Sequence, residues 1–460
     1  MSSRRQLRRD RWVIGDKTFI WHPFTQMQEY ANEDIIIVER GRGNYLYDVN
    51  GRKYLDGVSS LWCNLFGHRR KELDRAIHHQ LERIAHSTLL GITHVPAVEL
   101  AEKLVAVTPS CLTKVFYSDN GSTAVEVALK MAFQYWQQAE GKRWASRQTF
   151  LTLDDAYHGD TIGSVSLGGV DLFHSLYRPL LFKTYKAPSP HCYRCPLGLR
   201  PDRCDMECVD EVENILKRHQ RRIAALVMEP KVQAAGGMVV HPPGYLRRLR
   251  DLCSRYGIFL ILDEVATGFG RTGRLFACQH ENVEPDFLCL SKGLTGGYLP
   301  MGATLTTDRV FEAFLGRYEE FKTFFHGHTY TGNPLAARVA SATLDIFQRD
   351  RILDKLPGKI AYLRRKLQSL ADLAHVGDVR QMGFMVGIEL VRNKKTKTPY
   401  APGRRIGHRV CLEARRHGVL IRPLGDVVVL MPPLSITRSQ IDLLTDAVRR
   451  SIRSVTEHVS

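Results

Sequence analysis

The sequence predicts an α/β protein. We expect a large domain with a mainly parallel sheet and helices on both faces, plus a smaller α+β domain from both termini. A chain of 460 residues is too long for one ordinary hydrophobic core. From about residue 97, helix-like and strand-like segments alternate, and the strand-like segments are continuous apolar runs, typical of strands covered on both faces. The expected boundaries are 1–75 and 345–460 for the small domain and 76–344 for the large domain.

The elements are predicted in the following order. In the first 75 residues, short strands are expected at 35–38 and 45–47, and Asn50-Gly51 is a strong hairpin signal. The large domain has a helix at 122–138 and strands at 115–117, 149–152, 224–228, 259–262 and 287–290. After residue 345, helices rich in Arg and Lys precede strands at 385–388, 419–421 and 427–429.

The composition limits the classes of partner that this protein is expected to bind. Its formal net charge is +17, but the basic residues are spread from Arg4 and Arg5 to Arg404 and Arg405, without a nucleic-acid-binding motif. Solvated helix faces explain them, so no nucleic acid is expected. No apolar run approaches the roughly 20 residues that span a bilayer, so no membrane is expected. The Arg-rich start at 1–12 has no apolar segment of a signal peptide after it, and a frayed basic terminus is favoured over an organellar address.

The chain has ten cysteines, which without a secretory signal predict reduced thiols and a cytoplasmic location. Four of them, Cys192, Cys195, Cys204 and Cys208, have a spacing that a zinc or iron–sulfur site could use. A metal-binding or redox regulatory protein is therefore an alternative class. The cluster falls in an insertion between strands, apart from the other candidate residues, so our site prediction includes no metal. Metal analysis of the purified protein separates the two classes.

Three predicted strands deliver polar side chains at their carboxyl ends: Glu229, Asp263 and Lys292. In open α/β sheets this edge is where ligands bind. A lysine and an acid there match what pyridoxal phosphate requires, a lysine for a Schiff base and an acid partner for the ring nitrogen. The acid keeps that nitrogen protonated, so the ring accepts the electron pair left when a substrate Cα–H proton departs.

Two further motifs are ambiguous when each is taken alone. Gly121-Ser122-Thr123 opens the predicted helix, and free N–H groups and hydroxyls at a helix start suit a phosphate. A plain N-cap has the same sequence pattern. Tyr157 follows the strand at 149–152, where an aromatic ring could stack on a flat cofactor or simply belong to the core or the surface.

Together these motifs resemble the class III (omega-type) aminotransferases. In chain order the matching motifs are Asn120-Gly121-Ser122, Tyr157-His158-Gly159, Glu229-Pro230, Leu262-Asp263-Glu264-Val265, Gly268-Phe269-Gly270-Arg271-Thr272-Gly273 and Ser291-Lys292-Gly293. The resemblance covers nearly the whole chain, and the run 261–292 is highly specific. It implies the type I fold of pyridoxal-phosphate enzymes and transamination of small molecules in two halves, with ping-pong kinetics.

By this resemblance, Lys292 holds pyridoxal 5′-phosphate as a Schiff base and Asp263 pairs with the ring nitrogen. Val265 and Tyr157 cover the two ring faces. Thr329 reaches the phosphate of the neighbouring subunit, which implies an obligate homodimer with shared active sites. The catalytic set is Lys292, Asp263 and Tyr157. The cofactor set adds Gly121, Ser122, Glu229, Val265, His328, Thr329 and Gln233, which is expected to reach the ring hydroxyl.

Within the family, stretches such as 21–27, 91–94 and 420–423 resemble the branch that aminates 8-amino-7-oxononanoate in biotin synthesis. Arg422 falls where that branch has the arginine for the substrate carboxylate, and its planar charged fork suits such a group. The alternative is an aminotransferase that uses a beta- or omega-amino acid with pyruvate. The expected substrate-binding residues are Phe24, Leu61, Trp62, Tyr157, Arg271, Lys292, Gly327 and Arg422.

Two positions depart from the commonest version of this branch. Phe24 replaces a tyrosine, and Leu61 replaces the first of two adjacent tryptophans. Adenosylmethionine, a bulky donor with an adenine and a sulfonium cation, would lose an aromatic face at Leu61. The aliphatic stem of lysine needs only apolar contact. We therefore hypothesise that lysine serves as the amine donor at least as well as adenosylmethionine.

Overall fold

The computed structural model describes residues 2–139 and 143–457, with side chains described from residue 9 onward. The strands are β1 (Val38–Arg42), β2 (Tyr45–Asp48), β3 (Lys53–Asp56), β4 (Lys114–Ser118), β5 (Thr149–Leu153), β6 (Tyr185–Ala187), β7 (Ile223–Met228), β8 (Val232–Gln233), β9 (Val239–Val240), β10 (Phe259–Asp263), β11 (Phe287–Leu290), β12 (Gly302–Thr306), β13 (Val376–Met382), β14 (Met385–Leu390), β15 (Val419–Leu420), β16 (Arg422–Leu424) and β17 (Val427–Leu430).

The helices alternate with these strands through the middle of the chain. They are α1 (Ser2–Phe19), α2 (Met27–Tyr30), α3 (Ser59–Trp62), α4 (Lys71–Leu81), α5 (Val95–Val107), α6 (Gly121–Gln138), α7 (Ile162–Leu167), α8 (Asp171–His174), α9 (Glu207–His219), α10 (Tyr245–Tyr256), α11 (Asp308–Glu312), α12 (Pro334–Arg349), α13 (Ile352–Ala371), α14 (Ile406–Arg416) and α15 (Arg438–Thr456).

A seven-stranded sheet forms the centre of the molecule, in the order β4-β12-β11-β10-β7-β5-β6. β12 runs antiparallel to β4 and β11, whereas the other paired strands are parallel. This confirms the predicted α/β class and the five strands expected in this region. β6 and β12 were not predicted, because β6 has only three residues and β12 consists of Gly, Ala, Thr and Leu without a long apolar run.

Both faces of this sheet are covered, which explains its continuous apolar strands. In β10, Ile261 packs in a core cluster with helix α6, and its neighbours Leu260 and Leu262 pack in a second cluster with helix α10. Successive side chains of a strand point to opposite faces, so a strand between two helix layers needs apolar residues at every position. Along α6, the predicted inner face is buried at all five positions, Val125, Ala128, Leu129, Ala132 and Trp136.

The two ends of the chain meet in a second sheet, in the order β1-β2-β3-β15. β15 comes from near residue 420 and pairs in parallel with β3, and a further sheet, β13-β14-β17-β16, lies in the last part of the chain. This pairing supports a small domain built from both termini, and its boundaries near 75 and 345 stay a prediction. The hairpin at Asn50-Gly51 is confirmed between β2 and β3, with Gly51 at φ +83°.

The first forty residues differ from the sequence-based expectation in two ways. The strand expected at 35–38 begins only at Val38, and Ile35 is buried without pairing in that strand. Helix α1 occupies 2–19, where a frayed terminus was favoured, and it is fastened by Lys17, whose Nζ donates to the carbonyls of Ala31 and Glu33. Met1 and the side chains of Arg4, Arg5 and Arg8 lie outside the described part. No helix among the described residues is long and apolar enough to cross a bilayer.

Candidate active site

A cavity of about 730 Å³ opens at the carboxyl edge of the central sheet. Its size is that of a site for a small molecule or cofactor, roughly 300–1,000 Å³. The carboxyl ends of parallel strands meet at one sheet edge, so β5, β7, β10 and β11 bring together residues that are far apart in the chain. Of the predicted site residues, the lining contains Leu61, Trp62, Gly121, Ser122, Tyr157, Glu229, Asp263, Val265 and Lys292.

Lys292 lies two residues after β11 and extends its amine into the cavity. Its backbone has a φ of +45°, which is unusual for a residue with a side chain. Its Nζ is 5.1 Å from the ring centroid of Trp62. Burial lowers the pKa of this amine, while Asp263 and Glu229 act in the opposite direction. The amine is therefore easier to deprotonate than a surface lysine, as a nucleophile or a proton carrier requires.

Asp263 ends strand β10, and both of its carboxylate oxygens have hydrogen-bond partners. Oδ2 is 2.8 Å from Nδ1 of the fully buried His158, and Oδ1 accepts the N–H of Val265 at 3.0 Å. The other ring nitrogen of His158, Nε2, has no partner among the described residues. These contacts hold the carboxylate in one orientation at the cavity wall, and lone pairs remain available for a ligand.

Glu229 follows β7 and is fully buried beside Asp263. Its carboxylate accepts the N–H groups of Ala234 at 2.9 Å and Tyr157 at 3.2 Å. Burial raises the pKa of Glu229 to about 7, and the charge of Asp263 acts in the same direction. Glu229 therefore links the turn after β7 to the turn after β5. Because its pKa is raised, its carboxyl binds a proton more readily near neutral pH than an exposed glutamate does.

The turn before α6 combines both alternatives that its sequence left open. Asn120 is an N-cap whose side chain accepts the N–H of Thr123. The N–H groups of Gly121 and Ser122 lie in the first turn, where a helix offers them no acceptor, and both residues line the cavity. The hydroxyl of Ser122 is 2.8 Å from that of Thr161. The turn is thus capped and still presents two donors to an anion.

Tyr157 lines the cavity shortly after strand β5. Its hydroxyl donates to Asp160 at 2.7 Å, and its ring is parallel to that of His174, with 6.3 Å between centroids. Burial and the neighbouring Asp160 raise the pKa of the Tyr157 hydroxyl, so that it stays protonated. The hydroxyl therefore has a hydrogen-bond partner, and the ring packs beside that of His174.

A strained segment carries Trp62 into the cavity. Ser59, Ser60 and Trp62 all have positive φ, between +51° and +64°. Asp56 accepts the N–H of Ser60 with both oxygens, at 2.9 Å each. Arg271, predicted to bind substrate, lies behind this segment. We find its side chain 1% exposed, and its guanidinium donates to the carbonyls of Pro432 at 2.8 Å, Asn64 at 3.0 Å and Trp62 at 3.3 Å.

Arg271 is therefore brought near the site but not into its lining. Its five donors suit several carbonyls at once, and burial lowers its pKa to about 10. Gln233 is also absent from the lining, since its amide donates to the carbonyl of Asp154 at 2.7 Å and accepts the hydroxyl of Ser189 at 2.6 Å. Neither side chain lines the cavity. The sequence could not show this, because the hydrogen-bond partners of both residues are remote in the chain.

The remaining predicted residues lie outside the cavity of their own chain. Phe24 is 61% exposed, and its ring is 5.4 Å from that of Phe173. Gly327, His328 and Thr329 are exposed in one loop. His328 contacts Asp119, next to the turn before α6, at 2.6 Å. Arg422 is exposed at the start of β16.

Sequence reasoning missed several residues of the lining. Asp160, Thr161 and Cys63 lie next to predicted residues in the chain. The segment Tyr298-Leu299-Pro300-Met301 also lines the cavity, between Lys292 and β12. Gly296 and Gly297, which both have positive φ, were a signal for a tight turn that returns this segment to the site.

The four clustered cysteines lie between β6 and the first turn of α9. The thiol of Cys204 contacts a carboxylate oxygen of Glu207 at 3.0 Å. Within the part of the chain that the structure describes, no group of three or more His, Cys, Asp or Glu residues could hold a metal ion. The alternative of a metal-binding protein thus gains no support here, whereas the residues for cofactor chemistry converge on one cavity.

Comparisons with known proteins agree with this geometry. Residues 27–452 match the family model described as aminotransferase class-III. Two relatives carry the name adenosylmethionine-8-amino-7-oxononanoate aminotransferase: one from Nitratidesulfovibrio vulgaris, 57% identical over 96% of this chain and 82% of its own, and one from Geobacter sulfurreducens, 54% identical over 96% and 97%.

The solved structures that resemble this chain are also aminotransferases. The crystal structure of adenosylmethionine-8-amino-7-oxononanoate aminotransferase from Methanocaldococcus jannaschii has a TM-score of 0.93 and 47% identity, covering 97% of this chain and 99% of that one. A PLP-bound amine transaminase from an uncultivated Pseudomonas species has a TM-score of 0.90 and 38% identity, covering 95% and 99%. Both similarities extend over nearly the full length of the chains.

Proposed function

Because the chain belongs to the class-III aminotransferase family, we propose that it transfers an amino group to 8-amino-7-oxononanoate and so makes 7,8-diaminononanoate for biotin synthesis. The observation that carries this proposal is the convergence of Lys292 and Asp263 in one cavity of a chain more than half identical to relatives named for that acceptor. The similarity extends over nearly the whole chain, so the matched region spans the segments that carry the expected substrate-binding residues.

Pyridoxal 5′-phosphate is the cofactor of this chain, as of its family, and the residues present fit it. Gly121 passes so close to Val265 that a Cβ at this position would be 2.6 Å from Cγ1 of Val265, so only glycine fits here without displacing a neighbour, and both residues line the cavity. The N–H groups of Gly121 and Ser122 would hold the phosphate. Lys292 would hold the cofactor covalently through Nζ, and Asp263 would hold the ring nitrogen. When bound, the cofactor accepts the electron pair released at the substrate carbon.

The protein contributes proton transfer and orientation. We assign Lys292 Nζ as the group that moves a proton from the substrate carbon, since burial lowers the pKa of this amine and it lies at the sheet edge. The carboxylate of Asp263 is held in place by its bonds to His158 and Val265, and it would keep a proton on the ring nitrogen of the bound cofactor. Tyr157 and Val265 both line the cavity and would cover the faces of the cofactor ring. Amino donor and acceptor bind in turn, with ping-pong kinetics.

We further propose a homodimer with shared active sites in the cytoplasm. Thr329 lies on an exposed loop outside its own cavity, which is consistent with its reaching a phosphate in a second subunit. The loop exposes Phe325 at 72% and Tyr330 at 64%, and large apolar side chains this exposed are typical of subunit interfaces. The ten cysteines are unpaired, which suits a reducing compartment.

Lysine is our first candidate for the amine donor, with adenosylmethionine as the alternative. Leu61 lines the cavity and offers only an aliphatic surface. Trp62 cannot readily compensate, because its carbonyl is held by Arg271 and its ring already faces Lys292. If kcat/KM for adenosylmethionine exceeds that for lysine by more than about ten-fold, roughly 1.4 kcal/mol of discrimination, this choice of donor is wrong while the acceptor proposal stands.

The second candidate is an amine or omega-amino acid aminotransferase that uses pyruvate. It is favoured by structural neighbours titled omega-transaminase, such as one from Thermomicrobium roseum with a TM-score of 0.91 and 35% identity. Its acceptor, pyruvate, is shorter than 8-amino-7-oxononanoate, and its carboxylate adjoins the reacting carbonyl instead of lying at the far end of an aliphatic chain. Measuring turnover with pyruvate and with 8-amino-7-oxononanoate as competing acceptors separates the two candidates.

The direct test is to incubate the enzyme with 8-amino-7-oxononanoate and a panel of amines that includes lysine and adenosylmethionine. We expect formation of 7,8-diaminononanoate, detected by mass. Lys292→Ala is the control and should abolish turnover together with the absorbance of the lysine-bound cofactor. Turnover of pyruvate without diaminononanoate would replace the proposal with the second candidate. Near-normal turnover by Lys292→Ala would refute the assignment of the lysine.

A further inference from the structure

Three aromatic side chains form a continuous line from the protein surface to the cavity wall. The ring of Phe24 packs edge-on against Phe173, with 5.4 Å between centroids and 63° between planes. Phe173 in turn packs edge-on against Tyr157, at 6.3 Å and 83°. Both geometries are those in which aromatic pairs attract one another. Phe173 therefore connects the exposed Phe24 to a residue that lines the cavity.

The segment that carries Phe24 is anchored to the rest of the protein on two sides. On one side, Glu29 pairs with Arg405, and Glu33 contacts His408 of α14 at 2.9 Å. On the other side, Phe24 reaches Phe173. Phe24 has a φ of +51°, so its backbone is strained and needs a contact to hold it there. The Phe173 ring supplies that contact.

Phe173 is itself well placed to act as a support, because the residue after it is fixed. His174 is buried, and its ring is parallel to that of Tyr157. Leu172, the residue before it, is 86% exposed and has no place in the aromatic line. Of these three consecutive residues, Phe173 is the one that contacts the segment of Phe24.

Tyr157 does not depend on Phe173 for its position. Its hydroxyl is bonded to Asp160, its backbone N–H to Glu229, and one ring face is covered by His174. Removing the ring of Phe173 should therefore free Phe24 and leave Tyr157 where it is. The effect on substrate binding and the effect on cofactor chemistry can thus be separated.

We propose that Phe173 is a positioning residue, which holds Phe24 in place to contact the aliphatic chain of the acceptor at the entrance of the cavity. The inference rests on the proposed function and on the substrate-binding role that the sequence predicts for Phe24. This role of Phe173 predicts different effects on KM and on kcat. Loss of the ring raises KM for the acceptor without lowering kcat, since the groups that move protons are not disturbed.

The test compares Phe173→Ala, Phe173→Tyr and the matched control Leu172→Ala. We expect Phe173→Ala to raise KM for 8-amino-7-oxononanoate by about three- to ten-fold, the worth of one aromatic contact, with kcat within about two-fold. Phe173→Tyr keeps the ring and should restore KM, and Leu172→Ala should match wild type. Equal KM for Phe173→Ala and wild type, or an equal change in Leu172→Ala, would overturn the inference.

A double-mutant cycle asks whether Phe173 acts through Phe24. If it does, Phe173→Ala adds little to the KM of Phe24→Ala, whereas additive effects on KM contradict the inference. Hydrogen exchange of residues 20–30 gives a readout that needs no substrate, and we expect faster exchange in Phe173→Ala than in Leu172→Ala. If wild type does not turn over the acceptor, the proposed function fails; if wild type turns it over and exchange and KM are unchanged, only the role of Phe173 fails.

Discussion

At the scale of single residues, burial shifts the pKa of the ionisable groups in the cavity and so favours one protonation state of each. The same desolvation acts in opposite directions on opposite charges: it lowers the pKa of the Lys292 amine and raises the pKa of the Glu229 carboxyl to about 7. Both shifts favour neutral groups near neutral pH. An amine that can lose its proton is what a lysine needs in order to attack a carbonyl and to carry a proton afterwards.

Replacing Asp263 with asparagine tests the partner of the ring nitrogen. We expect Asp263→Asn to fold, because an amide of the same shape can still accept the N–H of Val265. It should lose most activity, since a neutral amide does not stabilise a proton on the ring nitrogen. The measurement is kcat beside a thermal melt, with the exposed Asp308→Asn as control. Activity within a few-fold of wild type would remove Asp263 from this role.

Replacing Arg422 with alanine tests recognition of the carboxylate. A charge-assisted hydrogen bond is worth roughly 1.5–3 kcal/mol, or about ten- to a hundred-fold in KM. Arg422 is exposed in the single chain, where solvent screens its charge, so we expect the lower end, about ten-fold, for 8-amino-7-oxononanoate. KM for the amine donor and the variant Arg416→Ala serve as controls. An unchanged KM for the acceptor would show that Arg422 does not bind its carboxylate.

At the scale of elements, turns and loops hold the cavity residues in conformations that their own sequence does not favour. The segment from Ser59 to Trp62 has three positive φ values, and it persists because Asp56 and Arg271 bond its backbone from either side. The turn before α6 is capped locally by Asn120, but it also packs closely on Val265, which lies far away in the chain. Long-range hydrogen bonds and packing therefore shape the site as much as its strands do.

Arg271→Lys tests the support of the Trp62 segment. A lysine carries a single ammonium and cannot reach the carbonyls of Trp62, Asn64 and Pro432 together as the guanidinium does. Leaving at least one buried carbonyl unpaired costs about 1–3 kcal/mol, so we expect a clearly lower melting temperature and reduced kcat. The surface variant Arg364→Lys is the control. A melting temperature equal to that of wild type would contradict this support.

Gly121→Ala tests the space at the turn before α6. The new Cβ would be 2.6 Å from Val265, a stiff β-branched side chain, and overpacking of this kind costs about 1–3 kcal/mol. We expect weaker retention of the cofactor on dialysis. The control is Gly358→Ala in α13, where nothing lies within 4 Å of the added Cβ and stability should be unchanged or slightly raised. Equal cofactor retention by both variants would argue against a close fit at Gly121.

At the scale of the whole molecule, the two ends of the chain cooperate around the central sheet. β15 pairs with β3, and the carbonyl of Pro432 accepts from Arg271, so residues near 420–432 support a segment near 60. The loop with Thr329 is exposed, and Thr329 does not line the cavity of its own chain. The molecule is thus organised so that segments remote in sequence, and in our proposal a second subunit, complete each site.

Mixing subunits tests whether the sites are shared. Thr329→Val should weaken cofactor binding, and Lys292→Ala should be inactive. In a mixed dimer, one site carries both substitutions and the other carries neither, provided that Thr329 of the partner subunit contributes to each site. We expect activity at limiting cofactor to recover after subunits are exchanged, beyond the sum of the two variants alone. Activity that always follows the genotype of the chain with Lys292 would show that the sites are not shared.

The sequence by itself determined the chemistry at the sheet edge. Glu229, Asp263 and Lys292 were predicted because each follows a short apolar strand, and the direction of parallel strands alone brings such residues together. The capped turn at Gly121 and the hairpin at Asn50-Gly51 also follow from short sequence patterns. Their conformations depend on residues within a few positions of one another, so a local pattern contains the information.

Only the tertiary structure decided which residues act behind the site. Arg271, a predicted substrate-binding residue, lies outside the cavity lining and supports the Trp62 segment, and His158 bonds to Asp263 across 105 positions of the chain. The contact of Phe173 with Phe24 spans a similar separation, and β12 enters the sheet between β4 and β11 without a strong apolar run. Each of these depends on how distant segments pack, and packing between distant segments leaves no periodic or local signal in a single sequence.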